Sequence, residues 1–126
     1  MRGFTLDTGA LIALERGDEV VDVLIQRVGE MSDAIIHIPA GVAAQAFRDG
    51  RRQVRLRRLF KHPQTHVVAL DARAAFVVGL LLGRRGCSDV VDASVVVCAR
   101  THGQGVVTSD PDDLRRLDPD LQLEVI

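Results

Sequence analysis

The chain alternates between short apolar runs and longer segments in which apolar residues recur at helical spacing. Short continuous runs predict buried strands, and an alternation of apolar and polar residues near the end predicts an edge strand. The predicted strands are residues 3–7, 35–38, 67–70, 106–108 and 121–126. The predicted helices are residues 8–16, 18–29, 39–47, 51–61, 72–84 and 111–117. Strands that alternate with helices predict an α/β fold with a parallel sheet of four or five strands, covered on both faces.

Residues 89–101 fit two interpretations. The valines at 90, 91 and 95–97 favour a strand by propensity. The length of the segment favours a helix, as do Asp89 and Asp92, which lie one helical turn apart. We predict a helix, and Gly103 and Gly105 then flank its connection to the strand at 106–108.

The composition indicates a folded single-domain protein and does not indicate a particular function. With 126 residues, of which 47% are hydrophobic, residues 1–126 are expected to form a single domain with one core. The net charge of −1 hides a basic segment at 48–61 and an acidic segment at 110–120. Two cysteines eleven residues apart suggest free thiols. No signal peptide or membrane span is expected, so we expect a cytoplasmic protein without a membrane partner.

Three aspartates stand at positions where an α/β sheet places ligands. Asp7 and Asp110 directly follow apolar strands, so both are expected at the same edge of a parallel sheet, and Asp92 has a similar setting. Each of them alone reads most simply as a helix cap. Carboxylates that share an edge repel one another unless a cation neutralises them. Oxygen ligands without a cysteine or histidine cluster favour Mg²⁺ or Mn²⁺, and such an ion activates water for attack on a phosphoryl group.

These acidic segments resemble the motifs of a known family. Residues 6–13 (LDTGALIA), 89–94 (DVVDAS) and 107–110 (VTSD) are similar to the three acidic motifs of PIN-domain ribonucleases. The likeness is greatest to the VapC-type toxins of bacterial type II toxin–antitoxin pairs, and it extends over almost the whole chain. Each motif is weak alone, whereas their order and spacing together are more specific.

The resemblance implies a fold, an activity and partners. PIN domains are three-layer α/β/α sandwiches that cleave RNA with water activated by Mg²⁺ or Mn²⁺. The VapC-type members usually form homodimers and are silenced by a cognate antitoxin protein. By motif position, Asp7 and Asp92 would be the principal metal ligands, and Asp110 would complete the acidic pocket. Thr8 and Ser109 would orient ligands or water.

One position departs from the family pattern. A glutamate usually stands on the helix after the second strand, where this chain has Gln45. An amide oxygen can coordinate a metal but brings no charge, so the metal affinity would be weaker unless Asp89, Asp112 or Asp113 compensates. Gln45 therefore supports an alternative hypothesis, that of a degenerate PIN module that binds RNA or a protein without cleavage. Phosphoryl transfer through an aspartyl intermediate is disfavoured, because position 9 is Gly rather than a second Asp.

The basic segment 48–61 has three interpretations. It could bind RNA phosphates, dock an acidic antitoxin segment or form a solvated helix face. Arg48, one turn beyond Gln45, and Arg51 are the predicted RNA contacts. The four histidines show no metal-ligand spacing, and His37 is predicted to be a core or edge residue of a strand.

Overall fold

The computed structural model describes residues 2–126, which form five strands and seven helices. The strands are β1 (Gly3–Leu6), β2 (Ile35–Pro39), β3 (Thr65–Val68), β4 (Val106–Thr108) and β5 (Leu123–Val125). The helices are α1 (Thr8–Glu15), α2 (Glu19–Gly29), α3 (Ala40–Ala46), α4 (Val54–Lys61), α5 (Ala72–Arg85), α6 (Val90–His102) and α7 (Pro111–Leu117). Every predicted element is present, although some bounds differ.

The five strands form one sheet in the order β3-β2-β1-β4-β5, and all its pairings are parallel. The predicted α/β/α sandwich is therefore confirmed. β1 and β4 lie side by side, with Leu6 paired to Val107. Because parallel strands end at the same edge, the loops that follow β1 and β4 meet there. From β1 the chain builds the sheet outward first through β2 and β3 and then, on the other side, through β4 and β5. Open α/β sheets hold ligands at the ends of the strands where the order reverses in this way, here between β1 and β4.

The segment 89–101 is a helix, as predicted, and it is the most deeply packed helix of the chain. Ala93, Val95, Val96 and Ala99 of α6 are all fully buried. Burial among neighbouring elements outweighs the modest strand propensity of its valines. Asp89 caps its first turn, and Gly103 ends it with φ at 61°, a left-handed conformation that favours glycine.

The predicted bounds of β3 and α4 were wrong, and each difference has a physical reason. β3 spans Thr65–Val68 rather than residues 67–70, because its partner β2 ends at Pro39, which pairs with Val68. α4 begins at Val54 rather than at residue 51. The Gln53 side chain organises the preceding turn, since it donates to the Ala46 carbonyl and accepts the N–H of Arg48.

A buried polar network closes the opposite edge of the sheet. Gln104 accepts hydrogen bonds at Oε1 from the Thr5 hydroxyl (3.1 Å) and from Nδ1 of His37 (3.0 Å). Its amide nitrogen donates to the carbonyls of Arg2 and Ile35. His37 is thus a buried strand residue, as predicted, and burial lowers its pKa. No helix within residues 2–126 has the length and apolar character needed to cross a bilayer.

Candidate acidic active site

Five carboxylates gather at the edge of the sheet where β1 and β4 end. Asp7 follows β1, Asp110 follows β4, and α6 brings Asp92 in its first turn. The remaining two are Asp89, which precedes α6, and Asp113, which lies in α7. Their negative charges reach one another: the other four all raise the pKa of Asp92. The edge is therefore a concentrated negative site, as the strand positions predict.

Asp7 is both a helix cap and a buried acid. Its Oδ1 accepts the N–H of Ala10 at 2.8 Å, which starts α1. The residue is only 6% exposed, and this burial raises the pKa of its carboxyl group. The Thr108 side chain and backbone N–H groups hydrogen-bond the carboxylate and lower the pKa in part. The cap interpretation of Asp7 is thus correct, but a cap alone requires no such burial.

Thr108 links two of the acids, although no sequence motif marks it as a site residue. Its fully buried hydroxyl accepts the N–H of Asp110 at 2.8 Å and hydrogen-bonds the carboxylate of Asp7. One side chain at the end of β4 thereby fixes the loop that carries Asp110 relative to Asp7. Only its place as the last residue of the strand, directly before an acid, could have indicated this role.

Asp110 occupies the N-cap position of α7, yet its side chain makes no capping hydrogen bond. The helix-cap interpretation of Asp110 is therefore wrong. Its carboxyl group instead hydrogen-bonds Asp113, which is the first cause of its raised pKa. Two carboxyl groups can share a hydrogen bond only when one of them keeps its proton. The exposed side chain of Asp110 therefore does not stabilise the start of α7.

The pKa of Asp92 is raised by burial and by all four neighbouring acids. Its pKa is raised to about 6, first by burial and then by the charges of Asp89, Asp113, Asp110 and Asp7. Asp89, by contrast, is the cap of α6, and its Oδ1 accepts the N–H of Asp92 at 2.9 Å. The side chain of Asp92 is left free of this cap. A half-buried carboxylate held among like charges is typical of a functional site.

The predicted supporting residues lie beside these acids. The Thr8 hydroxyl donates to Oε1 of Gln45 at 2.6 Å, which places the amide of α3 next to the residue that follows Asp7. Ser109 packs against the first turn of α1 at Gly9, where an added Cβ would meet its Oγ at 2.0 Å. A side chain at position 9 would therefore force the Ser109 hydroxyl to move, and glycine lets the two loops approach closely.

The predicted RNA contacts lie in the loop between α3 and α4. The guanidinium group of Arg48 donates to the carbonyls of Ala44 and Phe47 at the end of α3. Arg51 lies in the turn before α4, where its N–H donates to Asp49. Arg51 therefore lies outside α4, contrary to the predicted helix of residues 51–61. Contact with RNA remains a prediction for both residues.

Comparison with known protein families decides the family. The sequence profile described as the PIN domain matches residues 4–119, which include all five acids of the edge. The chain belongs to the PIN domain family. PIN domains are in general nucleases, which hydrolyse phosphodiester bonds, and they typically use divalent metal ions. No sequence match was found among curated proteins.

Solved structures share the PIN fold at low sequence identity. VapBC2 from Rickettsia felis, bound to a DNA fragment from its promoter, gives a TM-score of 0.73 at 18% identity, with 98% of each chain covered. FitAB bound to the IR36 DNA fragment gives 0.63 at 12% identity, over 97% of this chain and 94% of that one. FitAcB from Neisseria gonorrhoeae gives 0.61 at 14% identity, with 95% of each covered.

The PIN acids have donors suited to a divalent cation but are not preassembled around one. Within residues 2–126, no group of three or more His, Cys, Asp or Glu side chains is close enough together to hold a metal ion. The available donors are nevertheless all hard oxygens, and after burial their mutual repulsion raises the pKa of Asp92 further. A divalent cation relieves that repulsion, so the donor chemistry fits Mg²⁺ or Mn²⁺.

Proposed function

We propose that this PIN domain is a metal-dependent endoribonuclease that acts as the toxin of a toxin–antitoxin pair. The observation that carries the proposal is the gathering of five carboxylates at the edge of the sheet where β1 and β4 end. Burial, and then the charges of the other four, raise the pKa of Asp92 to about 6. A chain gains no stability from such a cluster, whereas a phosphodiester hydrolase needs one to hold its cation. The family match supports a nuclease.

Asp7 and Asp92 would hold the cation, and Asp110 would complete the acidic pocket. When bound, Mg²⁺ or Mn²⁺ would activate a water molecule and stabilise negative charge on the phosphoryl group that is cut. Thr108 keeps Asp7 and Asp110 in register through its two hydrogen bonds. The carboxyl group of Asp113 hydrogen-bonds that of Asp110 and so helps to position it.

The substrate and regulator follow from the same proposal. RNA would be the substrate, and Arg48 and Arg51 are proposed to contact it from the loop after α3. A cognate antitoxin would silence the enzyme, since VapBC2 and FitAB, which share the fold, are complexes of this kind bound to DNA. We place the protein in the cytoplasm, where Cys87 and Cys98 remain free thiols.

A degenerate PIN module without activity is the second candidate. Gln45 supplies an amide where the family pattern has a carboxylate, and its Oε1 already accepts the Thr8 hydroxyl. With one charge fewer, the acids could fail to retain a cation. This candidate predicts RNA or protein binding without cleavage under any metal condition.

Cleavage of RNA separates the two candidates. We expect the purified protein to cut a structured RNA with Mn²⁺ or Mg²⁺ and to stop when EDTA is added. We expect Asp7→Asn to reduce the rate at least about a hundredfold, since it removes a charge at the reaction centre. Asn retains the oxygen that caps α1, so the variant should fold. A rate equal to that of the parent would refute the proposed mechanism, and binding without cleavage would favour the degenerate module.

A second copy of this chain is the proposed occupant of the outer face of α5. Only Val78 and Leu81 of this helix are buried, although Phe76 is 75% exposed and Leu80 is 68% exposed. A helix that is apolar all round is normally buried in its functional assembly. Beside α5 lies a cavity of about 510 Å³, lined in part by Leu70 and by Val77 of this helix. A two-fold axis brings each protruding side chain to the same face of the partner.

Charging this face should therefore dissociate the homodimer. We expect Phe76→Asp to shift the protein from dimer to monomer in sedimentation velocity, because an interface must desolvate the new carboxylate. Val20, which is 53% exposed on α2, gives the matched control, and Val20→Asp should leave the dimer intact. A parent that sediments as a monomer, or a dimer that survives Phe76→Asp, would contradict this assignment and leave the face to an antitoxin.

A further inference from the structure

Two arginines, neither of them Arg48 or Arg51, line a cavity that also contains part of the acidic site. A cavity of about 530 Å³ lies between the end of α5, the start of α6 and α7. Asp89, Asp92 and Asp113 supply its acidic wall, and Arg85 and Arg116 line the same cavity. Two guanidinium groups thus border the space that three of the five acids face.

Arg85 has no structural partner that accounts for its position. It is the last residue of α5, and Gly86 ends the helix with φ at 64°, which turns the chain toward Asp89. Within residues 2–126, its side chain forms no salt bridge and no hydrogen bond. Its guanidinium group is therefore available to an anion in the cavity.

Arg116 has a partner, but a weak one. Its Nη1 lies 3.6 Å from Oδ1 of Asp113, and its side chain is 73% exposed. Exposed pairs of this kind contribute between zero and about 1 kcal/mol. A guanidinium group has five donors, so Arg116 can hold a phosphate while it stays beside Asp113.

An acidic active site repels the polyanion that it must cut. The cation neutralises charge at the scissile phosphate only, so the neighbouring phosphates need other positive groups. We propose that Arg85 and Arg116 bind RNA phosphates next to the one that is cut, and so position single-stranded RNA across the acidic cavity. This inference rests on the proposed ribonuclease function. Unlike Arg48, whose guanidinium group is held by backbone carbonyls, Arg85 has no competing contact.

The salt dependence of RNA binding tests this assignment without reference to cleavage. The probe is a fluorescent single-stranded RNA of about 20 nucleotides, which is longer than typical single-strand sites. Its binding is followed by fluorescence anisotropy at about 50 to 200 mM salt with Mg²⁺, and all proteins carry Asp7→Asn. Each lost phosphate contact reduces the slope of log K against log salt by about 0.7 on a single strand. We expect this reduction for Arg85→Gln and for Arg116→Gln, and about twice as much for the double variant.

The chain offers matched controls of equal charge change. Arg84 is exposed beside Arg85, and Arg115 pairs with Asp112 at 4.0 Å on the same helix as Arg116, yet neither lines the cavity. Arg84→Gln and Arg115→Gln should leave the slope unchanged. Equal losses in all four variants, an unchanged slope in Arg85→Gln and Arg116→Gln, or no RNA binding at all would overturn the assignment. If the parent does not cleave RNA but these slope differences are observed, the proposed function is refuted and the assignment of Arg85 and Arg116 stands.

Discussion

Replacement of Asp92 by Asn will abolish RNA cleavage and at the same time stabilise the metal-free protein at neutral pH. The activity should fall at least about a hundredfold, since on our proposal the variant would lose a charged ligand of the cation. The stability should rise because Asp92 stands among four other carboxylates that disfavour its charged form. A residue that serves the fold would show the opposite change.

The sign of the stability change follows from the pKa of Asp92. Folding raises this pKa from 3.8 to about 6, so between these values the folded chain binds more protons than the unfolded chain. The contribution of this group to stability therefore decreases as pH rises from about 4 to above 6. At pH 7.5 the whole penalty is present, and an amide in the same place removes it. Because Asp92 is partly exposed, solvent screening keeps the gain modest.

Thermal unfolding in EDTA at pH 7.5 measures this gain. We expect Asp92→Asn to raise the Tm by roughly 2 to 5 °C, the shift that about 1 kcal/mol produces in a chain of this size. Asp71→Ala is the matched control, because Asp71 caps α5 through the N–H of Ala74 and lies outside the acidic cluster. That variant should lower the Tm by a similar amount and retain cleavage. A lower Tm for Asp92→Asn would mean that Asp92 supports the fold.

Lowering the pH will weaken cleavage through competition between protons and the cation. Asp92 must be ionised to bind a metal, and its pKa is about 6 without one. At limiting Mn²⁺ the cleavage rate should be near its maximum at pH 7.5 and fall about tenfold for each pH unit well below 6. A saturating concentration of Mn²⁺ should move the fall to lower pH, because the bound cation favours the charged form.

Rates at pH 5.0 to 7.5, at limiting and at saturating Mn²⁺, provide the measurement. Asp71→Ala again serves as the control, and its profile should match that of the parent. A fall in rate at the same pH for both metal concentrations would show that a group other than a metal ligand titrates. His37 is one such group, because its pKa is lowered by burial and its protonation as the pH falls destabilises the fold.

The fold was predictable from the sequence because its pattern and its topology agree. Short apolar runs marked the strands, and Asp89 and Gly103 marked the two ends of α6 where valine propensity was ambiguous. The acidic edge was predictable for the same reason, since residues that directly follow parallel strands meet at one edge. That rule and the positions of β1 and β4 are enough to predict that Asp7 and Asp110 lie close together.

The features that escaped prediction depend on packing between distant segments. Thr108 joins Asp7 to Asp110 because β1 and β4 are neighbours, which no local pattern reveals. Arg85 and Arg116 are 31 positions apart in the sequence, yet the structure brings both to one cavity. The end of β3 at Val68 could not be predicted locally, because the strand ends where its partner β2 ends, at Pro39.

Calorimetric titration with Mn²⁺ tests the central claim, that these carboxylates together hold a divalent cation. The parent should bind Mn²⁺ saturably at pH 7.5, and near pH 6 binding should release protons, as buffers of different ionisation enthalpy would reveal. Asp7→Asn and Asp92→Asn should lose most of this binding, whereas Asp71→Ala should retain it. Binding of equal affinity in all four proteins, or no binding by the parent, would contradict the account.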